Sequence, residues 1–314
     1  MINYLPITDS VSSKFNHWIM SLKNKLSGTG VALVTPFKKN KEVDYDALAG
    51  IIDYIINNGV EYLVTLGTTA ETPTLSKKEQ AEIVKFTSDK INNRVPLVLG
   101  IGGNNTSELI ALFSNFSLEN ITAILSSSPN YNKPSQEGIF QHYKAISEAS
   151  PLPVILYNVP GRTGSNITAE TTLRLAKECE NIRGIKEASG SMVQCMHILK
   201  NMPDDFLMVS GDDHISLPLI ACGAHGVISV AANCFPKDFS AMIRFALKND
   251  FSAATKLHYK LLEGYDLLFA ENNPAGVKAF MYELKLIENE LRLPLVSLSE
   301  PIHKKVKDFL AKIS

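Results

Sequence analysis

The sequence predicts an α/β fold, a (β/α)8 TIM barrel followed by a small helical C-terminal domain. Three observations carry that prediction. From Thr29 onward, eight short runs rich in Val, Ile and Leu recur with little polar alternation, as parallel strands covered on both faces do. Longer amphipathic stretches separate them, and eight strand-helix units in strict alternation close most simply into a barrel. The competing open sheet of the dinucleotide-binding type needs G-x-G-x-x-G after an early strand. Here Gly28-Thr29-Gly30 stands at the start of the first strand and not after it, and Gly100-Ile101-Gly102-Gly103 lacks the spacing.

The expected strands are Thr29 to Thr35, Tyr62 to Leu66, Val95 to Ile101, Ile121 to Leu125, Pro153 to Tyr157, Ile182 to Lys186, Phe206 to Ser210 and Gly226 to Val230. After the first, Leu48, Ile51, Ile52 and Ile55 form the stripe of a helix lying on a sheet. Ser76-Lys77-Lys78-Glu79 is a capping-box sequence opening a helix that runs to about Ile91. Further helices are expected to start near Thr106, Ser135, Thr168, Ser191, Ile215 and Pro236. Past about Asp250 the strands cease. Leu257, Leu261, Tyr265 and Leu268 share one face of a long helix, Asn272-Asn273-Pro274 breaks it, and shorter helical stretches follow to Ala311. The expected division is an N-terminal extension over 1–27, disordered or loosely docked, a barrel over 28–249 and a helical domain over 250–314.

Composition narrows the function classes. With 314 residues, 45% hydrophobic and 20% charged, the chain is long enough to bury a large core. A net charge of −1 leaves no basic excess for a phosphate backbone, so no nucleic-acid partner is expected. Apolar runs such as Ile121 to Leu125 and Gly226 to Ala232 fall short of the roughly 18 to 20 residues that cross a bilayer, so no membrane partner is expected either. The segment Met1 to Leu26 has no continuous apolar stretch and no Arg, which fits neither a secretory signal nor a transit peptide. Cys179, Cys195, Cys222 and Cys234 are widely spaced without a C-x-x-C pair and are expected to be buried thiols of a cytoplasmic protein, with no metal bound.

Barrel sites lie where residues just past each strand converge. Strand two ends in Gly67-Thr68-Thr69-Ala70-Glu71, strand four in Ser128-Pro129-Asn130-Tyr131-Asn132, strand five in Tyr157-Asn158-Val159-Pro160-Gly161-Arg162-Thr163-Gly164, and strand six in Gly184-Ile185-Lys186-Glu187-Ala188. Lysine is rarely buried, yet Ile182 and Ile185 carry Lys186 inward, and desolvation favours the free amine that attacks a carbonyl to form a Schiff base. The competing reading is a rim lysine paired with Glu187. Tyr157, one strand away, can give and take the proton that imine formation moves, and Thr68 can pass it on. Arg162, in a loop bounded by Pro and Gly, offers a fork that matches a carboxylate. For Asp212-Asp213-His214 a solvated loop or helix cap is expected in preference to a metal site, and His225 is read as structural.

At these residues the chain resembles the dihydrodipicolinate synthase family, pyruvate-dependent class I aldolases that include N-acetylneuraminate lyase. The likeness runs from Gly28 to the end. It rests on Gly67-Thr68-Thr69-x-Glu71, on Tyr131 through Gly138, on Tyr157 through Gly164, on Gly184-Ile185-Lys186-Glu187-Ala188, and on Gly226-Val227-Ile228-Ser229-Val230. The resemblance implies that Lys186 forms the imine with pyruvate, that Tyr157 is the central proton donor and acceptor, and that Thr68 links it to Tyr131 of a neighbouring subunit. It implies that Thr69 holds the pyruvate carboxylate, that the Ile228 carbonyl faces the substrate, and that Arg162 receives the carboxylate of L-aspartate 4-semialdehyde. The imine makes a separate cofactor unnecessary. A homotetramer built as a dimer of dimers is implied, serving lysine and diaminopimelate synthesis.

Two departures from the family pattern stand out. Ala70 replaces a glycine, which would be strained if that backbone required positive φ. Asn130 and Gln80 stand where lysine-inhibited members carry a tyrosine and a histidine, although Asn104 and Glu108 match that site, so lysine inhibition is expected to be weak or absent. Three other readings stay open on sequence: an aldolase for a sugar-derived 2-keto acid, a pyridoxal phosphate enzyme with a phosphate cradle at Gly223-Ala224-His225-Gly226, and a barrel that binds ligand without catalysis.

Overall fold

The computed structural model describes residues 21–313. Eight parallel strands close into a barrel in sequence order: β1 (Gly28–Ala32), β2 (Tyr62–Thr65), β3 (Leu97–Gly100), β4 (Ile121–Ser127), β5 (Val154–Asn158), β6 (Ile182–Glu187), β7 (Leu207–Ser210) and β8 (Gly226–Ser229). All eight expected strands form, with ends that differ by one to three residues: β2, β3, β7 and β8 are shorter than expected, β4 and β6 run further, and β1 and β5 start and end elsewhere. Closure runs through Gly30 beside Ile228 and Val31 beside Ser229.

In chain order the helices are α1 (Ser21–Lys25), α2 (Tyr45–Asn57), α3 (Lys77–Ile91), α4 (Thr106–Leu112), α5 (Gln136–Ala149), α6 (Pro160–Thr163), α7 (Ala169–Glu178), α8 (Met192–Asn201), α9 (Ser216–Ala221), α10 (Pro236–Leu247), α11 (Phe251–Phe269), α12 (Ala275–Glu283) and α13 (Glu300–Ile313). Their starts follow the caps read in the sequence. Ser76 and Glu79 form the reciprocal capping box of α3, and Ser135, Thr168 and Ser191 each accept a hydrogen bond from the first turn of α5, α7 and α8.

Period-two alternation along the strands divides the core into two layers. One lies between sheet and helices and includes Leu63, Leu99, Ile124, Leu156, Ile185 and Met208. The other fills the barrel with Tyr62, Val64, Val98, Leu125, Ile155, Tyr157, Leu207, Val209 and Ile228. Gly30 makes room for this interior, since a Cβ there would sit 2.2 Å from the Tyr62 ring.

Three local expectations are corrected. Residues 1–20 lie outside the described residues, but α1 is not loosely docked: Leu22 and Leu26, four apart on one face, are buried in the interior layer with Tyr62 and Leu207 at the strand starts. Cys222 is exposed at the end of α9, whereas Cys179, Cys195 and Cys234 are buried. Gly223 to Gly226 leads into the start of β8, the end of the barrel opposite the strand termini that carry Tyr157 and Lys186, so it is not placed to cradle a phosphate beside that lysine. His225 accepts the Met208 N–H at Nδ1, and burial pulls its pKa down to about 4, a structural role.

Candidate active site

Register determines what faces inward at the strand ends. Tyr157, Lys186 and Val209 lie side by side on β5, β6 and β7. Tyr157 and Val209 belong to the interior layer, so the position between them projects into the barrel as well. Lys186 is 5% exposed, and its Nζ lies 4.4 Å from the centroid of the Tyr157 ring. Gly211 completes this wall: a Cβ there would press to 2.9 Å on the Lys186 Cε.

The rim reading of Lys186 is overturned. Glu187 faces the other way and is fully engaged, accepting from Asn158 Nδ2, Gln194 Nε2 and the Ser189 N–H. Among the described residues no carboxylate pairs with Lys186. Lys186 is thus a buried amine without a counter-ion, set against an aromatic face.

Above Lys186 opens a cavity of about 270 Å³. Its wall unites Thr68, Thr69, Tyr157, Arg162 and Lys186, five of the residues singled out in the sequence. Thr68 and Thr69 begin a single 3-10 turn, Thr68–Ala70, at the end of β2. Thr69 is buried, its Oγ1 accepting from Asn273 Nδ2 at 2.9 Å. Arg162 rides on the short helix α6 and donates from Nη2 to the Asn273 carbonyl at 3.2 Å. Asn273 therefore ties together the two groups expected to grip carboxylates.

Ala70 carries no strain of the kind considered above. It lies inside the 3-10 turn, and the left-handed residue is the next one, Glu71 (φ 55°). Glu71 makes a buried ion pair with Lys278 of α12, Oε1 to Nζ 2.5 Å, both side chains fully buried, and accepts the Arg292 N–H at Oε2. The Lys278 Nζ also donates to the Glu290 carbonyl and stands over the Phe37 ring. Burial pulls the Lys278 pKa down to about 8 against the attraction of Glu71.

Two expected residues are not part of this wall. Ile228 is buried in the interior layer beneath it, on β8 next to Gly30. Tyr131 is 91% exposed, with φ 63° and its N–H donating to the Thr163 carbonyl.

Other groups escaped the sequence reading. Asp212, His214, Phe269 and Asn273 also line the cavity. The expectation of a solvated loop at Asp212-Asp213-His214 is corrected: Asp213 is 2% exposed and accepts the Val230 and Ala231 N–H groups, bracing the end of β8. Burial raises its carboxyl to about 6. Asn273 had been read only as part of a helix break. No group of three or more His, Cys, Asp or Glu with metal-holding geometry occurs among the described residues.

Comparison with known proteins decides the family. A sequence profile of the Dihydrodipicolinate synthetase family matches residues 25–313. The chain belongs to this family. Within the dihydrodipicolinate synthetase family, it is 51% identical to the 4-hydroxy-tetrahydrodipicolinate synthase of Phocaeicola vulgatus over 292 residues, 93% of this chain and 98% of that protein. The crystal structure of dihydrodipicolinate synthase from Aquifex aeolicus matches with a TM-score of 0.88 at 39% identity, covering 91% of this chain and 98% of that one. A chloride-inhibited family member from Acinetobacter baumannii, solved in complex with pyruvate, matches with a TM-score of 0.89 at 38% identity over 92% of this chain and 99% of the other.

The residues of the lysine site in inhibited family members are accounted for differently here. Gln80 is buried and spends its amide N–H groups on the Thr72 and Leu75 carbonyls. Asn104 is clamped to the Asn130 backbone through both its amide nitrogen and its oxygen. No helix among the described residues is long and apolar enough to cross a membrane.

Proposed function

We propose that this chain condenses pyruvate with L-aspartate 4-semialdehyde through a Schiff base on Lys186, giving 4-hydroxy-tetrahydrodipicolinate for lysine and diaminopimelate synthesis. The observation that carries the reading is Lys186, buried and without a counter-ion in the interior layer, in register with Tyr157 under a cavity that also holds Thr68, Thr69 and Arg162.

The steps follow from those residues. The Lys186 amine adds to the keto carbon of pyruvate, and Tyr157 delivers the proton with which the carbinolamine oxygen leaves as water. Thr69 and neighbouring backbone N–H groups hold the pyruvate carboxylate. Loss of a methyl proton turns the imine into an enamine, whose carbon adds to the aldehyde while Arg162 holds the second carboxylate. The amine of the second substrate then displaces Lys186 by transimination, which closes the ring and restores the free lysine. The imine is itself the electron sink, so no separate cofactor or metal enters.

Tyr131 would complete the proton relay from a neighbouring subunit of a homotetramer, and its 91% exposure supports a side chain that serves across an interface. A cytoplasmic location fits the four free thiols.

Arg162 favours an aldehyde that carries a carboxylate over the neutral polyhydroxylated aldehyde of a sugar-derived reaction. Steady-state assays with aldehyde partners test this. Aspartate semialdehyde should be turned over and the sugar aldehyde should not, and Arg162→Ala should raise KM for the semialdehyde by about 10-fold or more, the worth of a charge-assisted pair. Equal use of both aldehydes, or an unchanged KM in the variant, refutes the assignment.

A further inference from the structure

His214 lines the active cavity with a hydrogen-bond acceptor at each ring nitrogen. Its Nδ1 lies 3.3 Å from Asp212 Oδ1 and its Nε2 3.0 Å from Asp266 Oδ1, while its backbone N–H donates to Asp212 Oδ1 at 2.9 Å. Nε2 hydrogen-bonds Asp266 and Nδ1 stands within ion-pair distance of Asp212, an arrangement that favours the imidazolium. Hydrogen bonding to Asp212 raises its pKa to about 9, with Asp266 adding and burial opposing. Against the upward pull of burial, the His214 bonds hold the Asp212 carboxyl below its usual range. The edge of the His214 ring also packs on Tyr265, centroids 5.5 Å apart, so the ring cannot swing freely.

Asp212 is thereby a held anion in the same wall as Arg162, one residue beyond Gly211, where a Cβ would press on the Lys186 Cε. A second observation is an unsatisfied acceptor in this wall: Asn273, 4% exposed, has an Oδ1 with no hydrogen-bond donor. On the reading proposed above, the second substrate carries a carboxylate and an ammonium on one carbon, with its aldehyde two carbons away. With its carboxylate on Arg162, the ammonium needs an acceptor on this same wall while the aldehyde reaches down to Lys186.

We infer that Asp212 receives the ammonium of the second substrate and that His214 is the positioning residue that holds Asp212 for it. The inference rests on the aspartate semialdehyde reading and adds selection for an amino-bearing aldehyde.

Aspartate semialdehyde is compared with succinate semialdehyde, which keeps the carboxylate and aldehyde but lacks the amine and so cannot complete the transimination. The comparison is therefore made on carbon–carbon bond formation in a single turnover of the preformed pyruvate imine, read as loss of each aldehyde, with KM taken as the half-saturating aldehyde concentration for that step. In the unaltered protein, the rate constant of that bond-forming step divided by KM should favour the amino-bearing aldehyde at least tenfold. Asp212→Asn should remove most of that preference through KM for the amino-bearing aldehyde. His214→Ala should raise the same KM three- to tenfold with little change for succinate semialdehyde, and His214→Arg, which donates on two sides, should restore part of the loss. Borohydride trapping of pyruvate in each variant reports an intact barrel. A preference near one in the unaltered protein overturns the inference whatever the variants do, as does a preference that survives Asp212→Asn and His214→Ala. Condensation of pyruvate with neither aldehyde is a different outcome and refutes the function proposed above.

Discussion

Lys186 and Tyr157 illustrate how position makes chemistry out of ordinary side chains. Each is a common residue, and the role proposed for each depends on facing the interior of a barrel on adjacent strands. The pair was legible in the sequence because a lysine ending an apolar strand conflicts with the usual exposure of lysine. Asn273, Asp212 and His214 were not legible, because a helix break and a polar loop look the same whether they face solvent or a cavity; only the tertiary packing distinguishes them. At Gln80 and Asn130, inhibition by lysine is expected to be lost, since the Gln80 amide is committed to the loop after β2. A titration with millimolar lysine should leave the initial rate unchanged, and inhibition there would show that neither substitution disables the site.

The turn after β2 depends on an element far away in the chain. Glu71 follows directly on Thr68, Thr69 and Ala70, and its carboxylate is anchored by Lys278 on α12 and by the Arg292 backbone, so the helical appendage fixes the loop proposed to hold the pyruvate carboxylate. Sequence reasoning delineated α11 through its apolar face and the Asn272-Asn273-Pro274 break, and left α12 among the shorter helical stretches that follow, but a pair 207 positions apart leaves no local pattern to read. Lys278→Met strands a fully buried carboxylate and should cost about 3–5 kcal/mol of unfolding free energy in a denaturant titration. Adding Glu71→Gln removes the stranded charge and should return part of that loss. Additive losses in the double variant would show that the two side chains do not act as a pair.

Across the whole molecule, the closed sheet and the helical appendage are bound by polar contacts as well as by the core. Arg292 grips Glu79 with two hydrogen bonds, of 3.0 and 2.6 Å, and Glu79 also closes the capping box of α3. Bonding to Arg292, against burial and with help from Ser76, lowers the Glu79 carboxyl from 4.5 to about 2. Because the folded value lies below the unfolded one, the stabilisation is complete above pH 4.5 and is lost as pH falls through about 2. Glu79→Gln should therefore lower stability by on the order of 2 kcal/mol near neutral pH, with the gap to the unaltered protein closing in acid. A gap that stays constant from neutral pH down to pH 2 would contradict that origin. The barrel itself was the most legible feature, since eight apolar runs and their capped helices are local patterns that closure only assembles. The docking of Leu22 and Leu26 under the barrel was not, because four residues of spacing do not reveal what lies beneath them. All of these features converge on one amine at the floor of one cavity. Borohydride reduction in the presence of pyruvate, followed by intact mass and peptide mapping, should place a single reduced pyruvate adduct on Lys186 and none on Lys186→Ala; an adduct elsewhere, or one that persists in the variant, would contradict the account.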